Sequence, residues 1–179
     1  MSDSILFVTG ASGSGKTAAL ERIATLKPWA RRCHFFDSIG VPGPAERATR
    51  HGDGESWRVW ATGHWVETLR ADPEPIAILD GQTPPSCILD AMERHAEVRF
   101  AIVLLDCTWD VRTHRLAVLR GQPELASADM RTWAGHLKRE AERLSLPVID
   151  TTDRSIDATA NAVLEHARSL LADGGLVGD

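Results

Sequence analysis

The sequence predicts an α/β protein, a three-layer α/β/α sandwich built on a parallel sheet. Three observations predict it. Short apolar runs alternate along the chain with longer stretches whose apolar residues recur at helical spacing. Strands that alternate with helices pair in parallel, because each helix carries the chain back across the sheet and covers one of its faces. No internal repeat and no linker divides the 179 residues, so one domain, 1–179, is expected to form a single folding unit.

Ile5-Leu6-Phe7-Val8 reads as the first strand and Thr17 to Leu26 as the first helix, with Leu20, Ile23 and Ala24 buried. Cys33-His34-Phe35-Phe36 is the second strand and ends at Asp37. The Gly- and Pro-rich stretch GVPGPAE leads to a helix from about Ser56 to Arg70. On that helix Trp57, Trp60 and Ala61 share a face and Trp65 follows; core packing is the first reading, a stacking wall for a ring-shaped ligand the second. Arg47, Arg50, His51 and Arg58 lie near it, either solvated or holding an anionic substituent. Ile76 to Leu79 is the third strand, closed by Asp80-Gly81, and Pro84-Pro85 suit the first turn of a helix through about His95. Phe100 to Leu105 is the fourth strand, followed by a helix over Val111 to Arg120. Met130, Trp133, Leu137, Ala141 and Leu144 recur at helical spacing after the cap Ser127. Val148 and Ile149, led by Pro147, form a short fifth strand. Ser155 then caps a last helix burying Ile156, Ala160, Val163, Ala167 and Leu170, before a loose tail, DGGLVGD.

Composition narrows the function classes. A net charge of −5 argues against general nucleic-acid binding, so any anion site must be local. The start of the chain does not read as a signal peptide and no apolar run is long enough to span a membrane, which points to a cytoplasmic protein with no membrane partner. Cys33, Cys87 and Cys107 are odd in number and lack C-x-x-C spacing, which suits buried free thiols. The seven histidines are scattered, with no zinc-binding spacing.

Ligands of parallel sheets bind beyond the carboxyl ends of the strands. Here those ends carry Gly10, Asp37, Asp80, Asp106 and Asp150, four acidic groups near one rim. After the first strand comes Gly10-Ala11-Ser12-Gly13-Ser14-Gly15-Lys16-Thr17, a complete G-x-x-x-x-G-K-[ST] match between a strand and a helix. Such a loop turns its N–H groups toward a phosphate, and side chains would block that approach. The helix start adds its positive dipole end. Lys16 then meets the β- and γ-phosphates of a nucleoside triphosphate, and the Thr17 hydroxyl can ligate Mg²⁺. Two strands end in an apolar run plus Asp, IAILD80 and IVLLD106, and either carboxylate is placed to serve the metal.

Asp80-Gly81-Gln-Thr-Pro before a helix resembles the LLDG-x-P-R-T segment of adenylate kinases and their relatives. Asp106-Cys-Thr-Trp-Asp-Val, followed by Arg115-Leu116 and Arg120-Gly121, resembles that family's segment leading to an arginine pair beside its mobile LID. The resemblance covers most of the chain in outline. It implies a P-loop kinase sheet of five parallel strands in order 2-3-1-4-5, an acceptor-binding region at about 38–72, and a short LID at about 120–128. It makes Asp80 the magnesium-side carboxylate and Asp106 a structural strand-end residue, and makes Arg115 and Arg120 phosphate clamps. The other reading of both arginines is a solvated helix face, which is also the expectation for Arg112.

One departure bears on the acceptor. Nucleoside-monophosphate kinases carry an arginine after D-G-x-P, and DGQTPP has Pro85 there. Asp37, ending the second strand, instead resembles the acceptor-side aspartate of kinases of the shikimate and chloramphenicol phosphotransferase type. A carboxylate there can orient a hydroxyl and take its proton; a plain cap or loop turn is the other role open to it. The expectation is a Mg²⁺-dependent kinase that passes the γ-phosphoryl of ATP to the hydroxyl of a small-molecule acceptor. The alternatives are a nucleoside-monophosphate kinase, or an ATP-binding regulatory protein without small-molecule kinase activity. Adenine is expected between the Arg115 helix and the Asp150-Thr-Thr-Asp loop.

Overall fold

In the computed structural model, residues 3–39, 46 and 54–172 are described. Five parallel strands make one sheet: β1 (Ser4–Thr9), β2 (Cys33–Phe35), β3 (Ala77–Gly81), β4 (Arg99–Asp106) and β5 (Val148–Asp150). Their order is β2-β3-β1-β4-β5, the order expected. Around them run α1 (Lys16–Ala24), α2 (Gly54–Arg70), α3 (Pro85–Met92), α4 (Trp109–His114), α5 (Ala128–Arg143) and α6 (Ile156–Ala172). Arg47, Arg50, His51, most of GVPGPAE and the tail from Asp173 lie outside the described residues.

Period-two alternation in β1 divides its side chains between the two faces of the sheet. Leu6 and Val8 pack with Leu20 and Ile23 of α1 and with Val163 and Ala167 of α6. Ile5 and Phe7 pack on the opposite face with Trp57, Ala61 and Trp65 of α2 and with Ile88 of α3. A smaller cluster sets Leu137 and Ala141 of α5 against Leu104 and Ala11. Each fully buried aliphatic contributes about 1.5–3 kcal/mol over its exposed state. The caps expected at Ser127 and Ser155 form: Met130 N donates to Ser127 Oγ at 3.2 Å and Ala158 N to Ser155 Oγ at 3.1 Å. Among the described residues no helix is long and apolar enough to cross a membrane.

Four sequence expectations are corrected. The helix over Val111 to Arg120 is α4 followed by one wide π turn, Arg115–Leu119, which leaves Val118 and Leu119 exposed. The helix expected through His95 stops at Met92. Trp60 is half exposed and stacks on His64. The core side of α2 is set by Trp57, Ala61 and Trp65 at steps of four, which puts Trp60 at the rim of that stripe. Ile156 is exposed, because the first turn of α6 opens onto the cavity described below.

Register brings the strand ends level. Val8 lies beside Asp80 and Thr9 beside Gly81, so the Gly-rich turn leaves β1 next to the Asp80 carboxylate. Phe35 also pairs with Asp80, which brings Asp37 out two residues beyond the same line.

Candidate functional site

The turn from β1 to α1 is built on backbone that other residues resist. Gly10 has φ +152°, and a Cβ on it would stand 2.3 Å from the Leu105 carbonyl oxygen. Gly13 has φ +79°, and a Cβ there would meet Arg112 Cγ at 3.0 Å. Only glycine accepts both the dihedrals and the crowding. Gly15, also left-handed, sits at the start of α1, and the helix runs on from Lys16.

Lys16 is buried at the floor of a cavity of about 760 Å³. Its ammonium donates to the Ala11 carbonyl at 3.3 Å and Ser14 Oγ at 3.5 Å, and stands 4.0 Å from Asp80 Oδ1. Thr17 Oγ1 donates to Asp80 Oδ2 at 2.8 Å. Burial pushes the Lys16 pKa down, against the attraction of Asp80. Burial pushes the Asp80 pKa up, against Lys16 and the Thr17 hydroxyl. The Thr17 hydroxyl and the Asp80 carboxylate form a pair of hard oxygen donors at the helix start, the kind of set Mg²⁺ takes.

Asp37 lies in the short turn Phe36–Ile39 that follows β2, exposed on the wall of the same cavity. Its charge acts on both Lys16 and Asp80. The turn is anchored from behind: Trp65 Nε1 donates to the Phe36 carbonyl at 3.0 Å, and the Phe36 ring meets Trp57 edge-on and lies over Gly81.

Arg120 and Arg115 also line the cavity. Arg120 is exposed at the end of the π turn, and its charge is felt by Lys16 and Asp80. Arg115 is tied down, donating to Thr151 Oγ1 at 2.9 Å, the Thr151 carbonyl at 2.6 Å and the Gly13 carbonyl at 3.3 Å. Leu119, Arg154 and Ile156 continue the wall at that end, where adenine was expected.

The structure separates the four strand-end acids. Asp37 and Asp80 face the cavity, while Asp106 and Asp150 are not on its wall. Asp106 Oδ1 takes a bond from Arg112 Nη2 at 2.6 Å, with Lys138 Nζ 3.8 Å from Oδ2. Asp150 accepts from Thr152 N at 2.9 Å; its bonds with Thr152 hold its carboxyl below the usual range. Arg112 corrects its expectation: it is 1% exposed, not solvated, and its Nη1 donates to the Ser12 carbonyl at 2.5 Å. The thiols also differ from expectation in part: Cys87 and Cys107 are buried, Cys33 only half so, and all three are free. Sequence reasoning passed over Gln82, whose Oε1 accepts from Ser12 N at 3.1 Å, and Thr151, whose Oγ1 donates to the Ser14 carbonyl at 2.8 Å. Their one sequence signal is position, each following a strand-end aspartate within two residues.

No protein-family model and no curated protein sequence matches the chain. Solved structures do. A gluconokinase from Sinorhizobium meliloti 1021 superposes with a TM-score of 0.70 at 18% identity, over 99% of this chain and 98% of that one. A sugar kinase from Janibacter sp. HTCC2649 gives 0.60 at 18% identity, over 96% and 95%. Shikimate kinase from Acinetobacter baumannii, solved in complex with shikimate, gives 0.59 at 15% identity, over 94% of each chain. The sheet order and the flanking helices are those of the P-loop small-molecule kinases, and the chain has that fold.

Proposed function

We propose that the chain is an ATP- and Mg²⁺-dependent phosphotransferase that moves the γ-phosphoryl of ATP to a hydroxyl of a small molecule. One observation carries the reading: a single cavity gathers the glycine loop, the Lys16–Thr17–Asp80 set, Asp37 and Arg120. Gly10 to Thr17 wrap the phosphates with backbone N–H groups, and Lys16 leaves its intramolecular carbonyl partner for the β- and γ-oxygens. Thr17 and Asp80 would hold Mg²⁺ or its water, and the ion supplies charge neutralisation on the phosphates. Arg120, and Arg115 at the nucleotide end, add positive charge around the transferring group. Asp37 accepts the proton of the acceptor hydroxyl as its oxygen bonds to phosphorus and the bond to ADP breaks. Pro85 as the first residue of α3, where nucleotide kinases carry arginine, supports an acceptor recognised through its hydroxyl. The kinases among the structural neighbours support the same class.

A screen of hydroxylated metabolites for acceptor-dependent ADP release tests the proposal. A compound that raises ADP release well above the intrinsic rate supports it. A protein that binds ATP·Mg and stays inert with every acceptor would favour the regulatory reading.

A further inference from the structure

Three consecutive carbonyls of the phosphate loop are each taken by a side chain from elsewhere in the chain. Ser12 is held by Arg112, Gly13 by Arg115 and Ser14 by Thr151. In a trans peptide the carbonyl and the next N–H point in opposite directions. Among the described residues the cis bond is Lys27–Pro28, so the loop peptides are trans. Drawing the Ser12 carbonyl onto Arg112 therefore turns the Gly13 N–H away from α4. Arg112 is buried and absent from the cavity wall, whereas Ser12 and Gly13 form part of that wall.

We propose that Arg112 is a positioning residue, fixing the Ser12–Gly13 peptide so that the Gly13 N–H is aimed at the nucleotide's phosphate before the ligand arrives. The proposal rests on reading the loop as a nucleotide site. Arg112 suits the task because its planar fork serves two acceptors at once. Nη2 is locked by Asp106, at 2.6 Å, and that bond holds Nη1 under Ser12. Asp106 is itself backed by Lys138 from α5, so the clamp is braced by a third element. The loop side is equally fixed, since Gly13 sits on the Arg112 methylenes with no room for a Cβ. A mere buried ion pair would serve stability alone. A clamp makes the loop's anion affinity depend on it.

The double variant Arg112→Met with Asp106→Asn separates the two, because a buried pair replaced by neutral groups of similar volume often leaves stability unchanged. Thermal unfolding reports the fold. Calorimetry with ADP·Mg and with inorganic pyrophosphate·Mg reports the loop, the second probe having no base or ribose. The expected result is near-wild-type unfolding with affinity for both probes reduced about tenfold or more, the worth of a charge-assisted hydrogen bond. Arg112→Lys keeps the charge beside Asp106 but not the fork, and should show the same loss; it decides the matter if the double variant does not fold. Folded variants that bind both probes within twofold of wild type would overturn the proposal. No acceptor is needed, so a protein that binds ADP·Mg yet phosphorylates nothing would count against the kinase reading alone.

Discussion

Asp80→Asn and Asp106→Asn should part in opposite ways, although the two aspartates lie at the ends of the two strands that flank β1, after similar apolar runs. Asp106 neutralises Arg112, whose side chain is 1% exposed. Removing one partner of a buried pair costs about 3–5 kcal/mol, because the other charge is left uncompensated. Asparagine keeps a carbonyl oxygen for Nη2, which places the loss near the low end, about 3 kcal/mol. At about 2–4 °C per kcal/mol for a chain of this size, the midpoint of unfolding should fall by about 6–12 °C. Asp80 behaves differently. Burial raises its pKa, so the amide relieves part of the cost of burying its charge and still accepts from Thr17, while the Lys16 ammonium, 4.0 Å away, loses its carboxylate. Because Lys16 keeps the Ala11 carbonyl and Ser14 Oγ as acceptors, the unfolding midpoint should fall by less than half as much as that of Asp106→Asn, about 1 kcal/mol. The Mg²⁺ concentration needed for ATP binding should instead rise by roughly 10–100-fold, as when a supporting metal partner is lost. Thermal unfolding by circular dichroism and magnesium titrations of ATP binding give both readings on both variants. If Asp80→Asn destabilises as much as Asp106→Asn, or if Asp106→Asn is the variant that needs more magnesium, the assignment of the two carboxylates is wrong.

Asp37→Asn should leave ATP affinity unchanged and lower transfer to a hydroxyl acceptor by about 10²–10⁴-fold, the usual worth of a positioned base; steady-state kinetics with full retention of transfer would remove Asp37 from the chemistry. The segment from Arg120 to Ser127 should gain hydrogen-exchange protection when ATP and acceptor are both bound, because closure must exclude water from the phosphoryl group. Equal protection in the free protein would argue against a lid there. Burial lifts the Cys33 thiol to about 12, so at pH 8 it stays protonated and should react about a thousandfold more slowly with iodoacetamide than in the unfolded chain. Mass spectrometry of alkylated native and denatured protein checks this, and equal rates would refute it.

The alternation of apolar runs and amphipathic stretches made the strands and most helices legible, because each element's burial is written at its own period. The glycine loop was legible for a related reason: Gly10 and Gly13 mark backbone that no other residue tolerates. The strand order was not in the periodicity and came through the family resemblance. What escaped were facts that depend on two distant residues at once. Arg112 lies on a helix between half-buried neighbours, and its reach to Asp106 and Ser12 explains why so polar a side chain is buried. Ile156 looks like a core residue in its heptad, yet it borders a cavity whose other wall comes from α1 and the π turn. Trp60 lay too close to the edge of its stripe for spacing to decide. The π turn itself leaves no mark in sequence, since one wider turn keeps nearly the same apolar spacing.

The central position of β1 has a consequence for the order in which the chain assembles. Residues 5–9 pair with 77–81 and residues 4–9 with 99–104, so the first strand made waits for partners synthesised long after it. Closing such long loops costs entropy before any contact repays it, which makes formation of this sheet a late and cooperative event. The glycine-rich loop waits longer still, because its carbonyls are tied by residues 112, 115 and 151. On the proposed reading, nucleotide would find its site only in the finished fold, and by mass action its binding would hold the entire chain together rather than one corner of it. A chain released before Thr151 would carry every residue from Gly10 to Thr17 and still lack the bonds that give those residues their shape.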